Sequence, residues 1–367
     1  MQRRDFLKFS ASLLATGLSH QALANPADSF RVYSASDSGQ RLNRLSIWES
    51  TSNTAQHYPI PFRAHDILPF ADQQRVLAFG RRPEMQCVLV DTTGNADGRL
   101  IDAAEGRHFY GHGCFSADNS TLFTTENEYD EARGVIGIRD ATSLEIIGEY
   151  DTYGVGPHDI HLMPDGKTLV VANGGIETHP DYGRRKLNIE TMQPSLVYID
   201  VASGKKLDEF RLSDHKLSIR HLVVSKRGDV GIATQYQGDT YREQPHTLVA
   251  WQPYGKALQE IAIPAPLTQS IRGYMADIAF DEQNQVLAVT APRGNRLTLW
   301  DIEASKLIQE VELSEPSGVQ YLAGKQQFIV SAAKGDLTAV HLQHGRVTTQ
   351  TLFTDADTAW DNHLVIA

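Results

Sequence analysis

The chain has 367 residues and carries 34 lysines and arginines against 45 aspartates and glutamates, which gives a formal net charge of −11 at pH 7. Such an acidic surface repels phosphate backbones, so the composition argues against nucleic acid as a partner. The sequence holds two cysteines with no CxxC or CxxCH spacing, and it has no phosphate-binding glycine loop, so we expect neither haem nor a nucleotide as cofactor.

Residues 1–24 have the features of an export signal. Arg3 and Arg4 precede a short apolar stretch, and small residues lead up to Ala24, a pattern typical of twin-arginine signals cleaved at that point. A signal for the general secretion route and an uncleaved anchor are the alternatives. We expect a periplasmic protein without a transmembrane segment in the mature chain, because no later stretch reaches the ~20 apolar residues that span a bilayer.

The twin-arginine route carries chains that have already folded. Either the domain folds too quickly to be threaded in an unfolded state, or it acquires a metal or another cofactor before export. The signal alone leaves both explanations open.

A unit of about 45 residues recurs along residues 25–367. Each copy has an apolar run before a tight turn, a second run after it, a third run that ends near an aspartate, and a fourth run. The turns between the first two runs lie at Asp72, Asp118, Asp165, Arg227, Glu282 and Gly324. Four short strands per unit at this period predict the blades of an all-β propeller.

The two ends of this domain predict one more blade. Residues 359–367 (AWDNHLVIA) have the pattern of a first strand, and FRVYSAS, RLSIWES and AQHYPIP near the amino end have the pattern of the other three. Pairing these strands closes a seven-bladed β-propeller with four antiparallel strands per blade and removes exposed sheet edges. The alternative, an open β-sandwich with a separate domain, requires the period to be accidental.

Three successive first strands open on a histidine, at His65, His112 and His158. In a propeller, the starts of the first strands and the loops between second and third strands meet at one mouth of the central channel. Neutral imidazole binds copper, iron and zinc. We therefore expect these three residues to be metal ligands, with iron or copper as the cofactor. The alternative is that they cap backbone groups or bind a ligand without metal.

Other polar residues fall at the same mouth and are candidates for binding a small-molecule or metal-bound ligand. From the strand starts and loops these candidates are Arg81, Glu126, Asn127, Asn173, Arg220, His221, Gln235 and Arg293. A polar insertion at residues 174–194 adds His179, Asp181 and Arg184. Because loops of this length in compact folds are usually functional or disordered, we expect a lid over the channel. A docking surface or a solvated excursion is the alternative.

The two cysteines, Cys87 and Cys114, fall in predicted strands of neighbouring blades. A disulfide would suit the periplasm, but strand positions of this kind more often bury small apolar thiols. We expect unpaired thiols.

Several long segments resemble an uncharacterised family of twin-arginine-exported bacterial β-propellers. They read GHGCFSADNSTLFTTENEYDEARGVIGI, GVGPHDIHLMPDGKTLVVANGGIETHPDYGRRKLNIETMQPSLVYID, SIRHL and TAPRGN. The family is classed as a domain of unknown function, and the likeness covers about residues 30–367. Its members look like neighbours of imelysin-type periplasmic proteins and di-haem oxidoreductases in iron-uptake gene clusters. The resemblance implies a role around periplasmic iron or another redox metal, with iron-uptake proteins as partners.

The leading hypothesis is a monomeric periplasmic binding protein whose channel mouth holds a metal ion or a small metal-bound ligand and which assists iron acquisition. Two other classes of function stay open. One is an enzyme, either a lactonase-like hydrolase or a metal-dependent oxidoreductase at the same mouth. The other is a protein–protein interaction scaffold that uses the acidic surface and the 174–194 insertion.

Overall fold

The computed structural model describes residues 29–82, 84–94 and 98–367. The predicted export signal at 1–24 lies outside these described residues. The described chain forms seven antiparallel sheets, six of them with four strands and one with five. This arrangement confirms the predicted seven-bladed β-propeller.

The amino end and the first three complete blades contain strands β1 to β15. The amino end supplies β1 (Arg31–Ser38), β2 (Asn43–Glu49) and β3 (Thr54–Pro59). Blade 1 holds β4 (Ala64–Pro69), β5 (Arg75–Gly80), β6 (Gln86–Asp91) and β7 (Arg99–Asp102). Blade 2 holds β8 (Arg107–Phe115), β9 (Thr121–Glu128), β10 (Arg133–Asp140) and β11 (Ile146–Asp151). Blade 3 holds β12 (Pro157–Leu162), β13 (Thr168–Asn173), β14 (Ser195–Asp200) and β15 (Lys206–Phe210).

The second half of the chain contains strands β16 to β29 and one short helix. Blade 4 holds β16 (Leu217–Val224), β17 (Val230–Tyr236), β18 (Thr247–Gln252) and β19 (Gln259–Ala262), and is followed by α1 (Ala265–Ser270). Blade 5 holds β20 (Ile278–Asp281), β21 (Val286–Ala291), β22 (Arg296–Asp301) and β23 (Lys306–Glu312). Blade 6 holds β24 (Pro316–Leu322), β25 (Gln327–Ala332), β26 (Asp336–Gln343) and β27 (Arg346–Thr354). The carboxyl end supplies β28 (Thr358–Trp360) and β29 (Val365–Ile366).

The two ends of the chain pair with each other to complete the terminal blade. Strand β1 pairs with β28, where Ser36 faces Trp360, and with β29, where Val32 faces Ile366. The predicted closure is therefore confirmed. The sequence predicts one continuous strand over 359–367, whereas the structure interrupts it between β28 and β29. The interruption lies at the position of the terminal blade that is equivalent to a register shift in the first strands of blades 1, 2, 3, 4 and 6.

The hydrophobic core lies between neighbouring blades. One buried cluster joins Tyr33 and Leu45 of the terminal blade to Ile67 and Val76 of blade 1. Another joins Phe123 of blade 2 to residues of blade 3 such as Val171 and Val197. Because neighbouring sheets bury their faces against each other, the core consists of a series of clusters around the ring of blades.

Two further expectations concern single features of the chain. Cys87 and Cys114 are free thiols, as expected, with Cys87 buried and Cys114 partly buried. Within the described residues, every helix is too short or too polar to cross a membrane.

Candidate metal centre

The first strand of each blade presents an equivalent residue to the central channel. The last backbone-paired residues of the first strands are Phe70, Ser116, Met163, Ser225, Asp281, Leu322 and Ala367. Four residues before them lie, in the same order, Asp66, His112, Asp159, His221, Asp277, Gly318 and His363. We call this set the inner ring. Around the channel it alternates carboxylate and imidazole, except where Gly318 stands between Asp277 and His363. Three of these positions are directly preceded by another polar residue, namely His65, His158 and Arg220.

Backbone irregularity helps to aim these side chains. The register of β4 against β5 shifts between Ala64 and Ile67, and the register of β12 against β13 shifts between Pro157 and Asp159. A β-bulge bends its strand and redirects the side chains beside it. Successive residues such as His65 and Asp66 can therefore both approach the channel.

Five imidazoles meet at the centre of this channel. They belong to His65, His112, His158, His221 and His363, and each side chain is almost fully buried. The closest ring centroids are those of His221 and His363, at 4.3 Å, and of His158 and His221, at 4.6 Å. The His65 ring lies 4.9 Å from the rings of both His112 and His363. We call these five residues the histidine cluster.

Carboxylates of the inner ring hold two of the five imidazoles. His112 Nδ1 lies 3.1 Å from Asp66 Oδ2 and 3.5 Å from Asp159 Oδ1. His363 Nδ1 lies 3.2 Å from Asp277 Oδ1. The Nε2 atoms of both histidines are buried and have no hydrogen-bond partner among the described residues. A histidine whose Nδ1 is fixed by a carboxylate and whose Nε2 faces a cluster of ligands is the usual arrangement of a metal-binding histidine.

Two of these carboxylates, those of Asp159 and Asp277, are themselves fixed by the backbone of the next blade. Asp159 Oδ2 accepts a hydrogen bond of 2.8 Å from the Leu222 N–H, and Asp277 Oδ2 accepts one of 2.8 Å from the Val319 N–H. Each aspartate therefore links two neighbouring first strands while it orients an imidazole. This support makes the positions of the imidazoles a property of the propeller frame.

Two groups of three histidines have ligand atoms close enough to share one ion. The first group is His65, His158 and His221, and the second is His65, His112 and His363. Within each group the potential ligand atoms lie within 4.8 Å of one another. In the first group, His158 Nε2 is 3.3 Å from the Nε2 atoms of both His65 and His221. The three predicted ligands thus lie in one cluster, but His112 and His158 fall in different groups.

Burial keeps three of these imidazoles neutral. It lowers the pKa of His65, His158 and His221 well below the usual value, and the neighbouring positive groups lower it further. For His363, burial acts in the same direction but is outweighed by Asp277, which raises the pKa of His363 to about 9. Neutral imidazole offers a lone pair to a metal, and a cation bound at His363 would take the place of its proton.

On one side of the cluster lies a small, basic cavity, which we call the upper chamber. It encloses about 170 Å³ and lies at the mouth where the first strands begin. Its lining comprises His65, Arg81, Arg82, Tyr110, His158, Arg184, Arg220, His221, Gln235, Tyr274, Arg293 and Asn362. Arg184 comes from the 174–194 insertion, so this part of the insertion reaches over the channel.

On the other side lies a wider and acidic cavity, which we call the lower chamber. It encloses about 740 Å³ and is lined by Asp66, Asp159 and Asp277 together with apolar residues of the first strands. His112 and His363 face this chamber. The histidine cluster therefore separates a chamber rich in arginine from a chamber rich in aspartate.

Several other sequence candidates lie away from the cluster. Glu126 accepts hydrogen bonds from Thr124 and Arg139, and Asn127 lies beside His108 and the Thr178 carbonyl. Asn173 donates a hydrogen bond of 2.9 Å to the Thr152 carbonyl. These residues line neither chamber.

The other two candidates from the insertion also lie apart. His179 contacts Asp130 at 3.1 Å, and the Asp181 side chain is 83% exposed. Arg81, Arg184, Arg220, His221, Gln235 and Arg293, by contrast, all line the upper chamber.

Sequence reasoning did not select His363 as a candidate. The terminal strand has no following turn from which to count, so its position relative to the other blades is hidden. A signal exists nevertheless, because His363 stands four residues before Ala367, which pairs with Arg31, just as His221 stands four residues before Ser225, which pairs with Asp229.

Together, the fold and this site define a seven-bladed β-propeller whose channel is divided by a histidine cluster. Residues 58–367 match the family described as "Protein of unknown function (DUF1513)", and the chain belongs to that family. The hydrazine synthase of Kuenenia stuttgartiensis has a similar structure, with a TM-score of 0.61 and 15% identity over 85% of this chain and 90% of that chain. At this identity the likeness shows the fold alone. No curated protein sequence matches the chain.

Gly111 tests how closely the cluster is packed. Its φ is +111°, and a Cβ at this position would lie 2.5 Å from His65 Cδ2. We expect Gly111→Ala to lower the free energy of unfolding by about 1–3 kcal/mol more than Gly106→Ala, because overpacking adds to backbone strain. Gly106 is the matched control, since its φ is +77° and nothing lies within 4 Å of a Cβ there. Equal effects in chemical denaturation would contradict this account.

Proposed function

We propose that this protein is a periplasmic binding protein whose histidine cluster holds a transition-metal ion, or a small metal-bound ligand, in support of iron acquisition. The observation that carries the proposal concerns the buried Nε2 atoms of His112 and His363, which have no hydrogen-bond partner in the part of the chain that the structure describes. Each belongs to an imidazole whose Nδ1 is fixed by a carboxylate. Leaving such groups without a partner is unfavourable in a folded protein, and a bound cation satisfies them.

The ligand set suits iron or copper. Imidazole nitrogen binds iron, copper, nickel and zinc, whereas magnesium and calcium prefer oxygen ligands. His65 belongs to both groups of histidines, so it is the residue on which either location of the ion depends. The acidic lower chamber favours the approach of a cation, since its three aspartates face the cluster.

The periplasmic location is part of the proposal and rests on the pattern of residues 1–24. Export in the folded state would allow the metal to be chosen in the cytoplasm, before the periplasmic pool of copper and zinc is encountered. The role in iron acquisition, with periplasmic iron-uptake proteins as partners, rests on the resemblance of the sequence to propellers associated with iron-uptake genes.

The central prediction concerns His65. We expect protein exported by its own signal to contain about one equivalent of iron or copper, and His65→Ala to lose it, because neither group of three can form without this residue. His215→Ala is the control, since this side chain is 49% exposed and lies outside the cluster. Elemental analysis of the purified proteins gives the metal content.

Two further variants locate the ion. Loss of metal in His112→Ala but not in His158→Ala would assign it to the group with His363, and the reverse result would assign it to the group with His221. Wild-type protein that carries no metal after native export would overturn the proposal.

The carboxylates provide a second prediction. Asp277→Asn should weaken metal binding by about 10–100-fold, because removal of the charge behind a ligating histidine has this effect in other metal sites. Asp229→Asn is the matched control, since Asp229 is also a buried carboxylate but bonds Ser225 and the Tyr254 N–H. Competition against a chelator of known affinity measures both. Unchanged affinity in Asp277→Asn would show that His363 is not a ligand.

The export route gives a third prediction. Replacing Arg3 and Arg4 together by lysine should retain the precursor in the cytoplasm, because the twin-arginine machinery reads the guanidinium pair. Lys8→Arg keeps the charge of the signal without touching the pair and should be exported normally. Immunodetection in cell fractions distinguishes the results, and periplasmic protein from the double variant would instead indicate the general secretion route.

A further inference from the structure

The upper chamber contains far more positive charge than its surroundings neutralise. Five arginines line it, at positions 81, 82, 184, 220 and 293, and no aspartate or glutamate is among the described residues of its lining. Arg81 pairs with Asp361 at 3.2 Å, but Arg63 shares the same carboxylate at 2.6 Å. No ion pair to a described carboxylate involves any of the other four.

The arginines are held in place by groups that leave their charge uncompensated. Arg184 Nη1 donates a hydrogen bond of 3.3 Å to the Arg82 carbonyl. The Arg293 guanidinium lies 4.5 Å from the centroid of the Tyr274 ring. Backbone carbonyls and aromatic faces orient a guanidinium without neutralising it, so several N–H groups remain available to a ligand.

Arg220 is the most informative member of the set. It precedes His221 on β16, and its Nη1 atom is buried without a hydrogen-bond partner among the described residues. In the same region, burial lowers the pKa of Lys186 to about 8, and the nearby arginines, Arg220 first among them, add to this effect. An anion in the chamber would offset this concentration of positive charge.

The chamber also offers neutral hydrogen-bonding groups and direct access to the cluster. Gln235, Tyr274 and Asn362 line its wall. His65, His158 and His221, which form one of the two groups of three, line it as well. A ligand in the chamber can therefore contact the arginines and an ion at that group at the same time.

We infer that the upper chamber binds a small polycarboxylate, whose carboxylates pair with Arg184 and Arg220 and whose free oxygens can coordinate the metal. Planar guanidinium groups recognise carboxylates through paired N–H donors, and several carboxylates on one small molecule match several arginines around one cavity. The contact with metal rests on the proposed function, whereas the pairing with the arginines does not.

The test uses citrate as the probe on the complete exported protein after its metal has been removed by chelation. Isothermal titration at constant ionic strength should show citrate binding, with acetate at least ten-fold weaker because it has one carboxylate. Arg184→Gln and Arg220→Gln should each weaken citrate binding by about ten-fold or more, since each removes a charge-assisted pair. Arg185→Gln is the matched control, because Arg185 is the next residue in the chain but is not among the residues that line the chamber, and its guanidinium lies 5.8 Å from the centroid of the Tyr182 ring.

Each outcome decides the inference. Citrate binding by the metal-free protein that depends on Arg184 and Arg220 supports it, and this result would uphold it even if the native protein held no metal. Equal binding of citrate in Arg184→Gln and wild type, no citrate binding at millimolar concentration, or tighter binding of phosphate than of citrate would overturn it. Protein that binds metal but not citrate would leave the proposed function standing and refute this inference alone.

Discussion

The whole site depends on the pairing of β1 with the last residues of the chain. This pairing fixes His363, because Ser34 Oγ donates a hydrogen bond of 2.6 Å to the His363 carbonyl and the Asp361 N–H donates one of 2.9 Å to the Ala35 carbonyl. It also holds the terminal blade against blade 1, which carries His65. Without closure, the imidazole of His363 would have no fixed position relative to the other four.

Closure also explains how so many imidazoles can share one buried space. Polar groups buried without partners are unfavourable, and five of them together would destabilise a flexible core. Here the backbone of each first strand is anchored by four-stranded sheets that pack on both neighbours, and the aspartates tie successive first strands together. The frame is stable enough to hold groups that are not satisfied within the protein, which is the usual condition of a binding site.

The fold was predictable from the sequence because the pattern of strands and turns repeats at a regular interval along the chain. Each blade repeats the same order of apolar runs and turns, and the incomplete pattern at either end is sufficient to predict closure. His65, His112 and His158 were predictable for the same reason, since each opens a recognisable first strand. Whether an ion binds them is a separate question that periodicity does not address.

The sequence was less informative about the direction in which side chains near the strand ends point. Glu126, Asn127 and Asn173 stand at or near the ends of second strands, as Arg81 and Gln235 do. Glu126 instead bonds Arg139 of its own blade, and Asn173 bonds the Thr152 carbonyl just after blade 2. Which way such a residue turns depends on the partners that the folded chain places around it, and the pattern of strands and turns does not reveal those partners. His363 was missed because its strand ends the chain and has no second strand after it in sequence.

The shared position of His65 limits how the cluster can act. Both groups of three include it, so an ion in one group competes for the residue on which the other group depends. The two groups also face different chambers, one lined by arginines and the other by aspartates. An ion bound by His112 and His363 would lie near the carboxylates, which would lower its energy directly. An ion bound by His158 and His221 would lie next to the arginines, where its charge would be repelled unless an anion accompanied it. Electrostatics would therefore couple the location of an ion to its ligand: a bare cation would belong on the aspartate side, and a cation with an anionic partner on the arginine side.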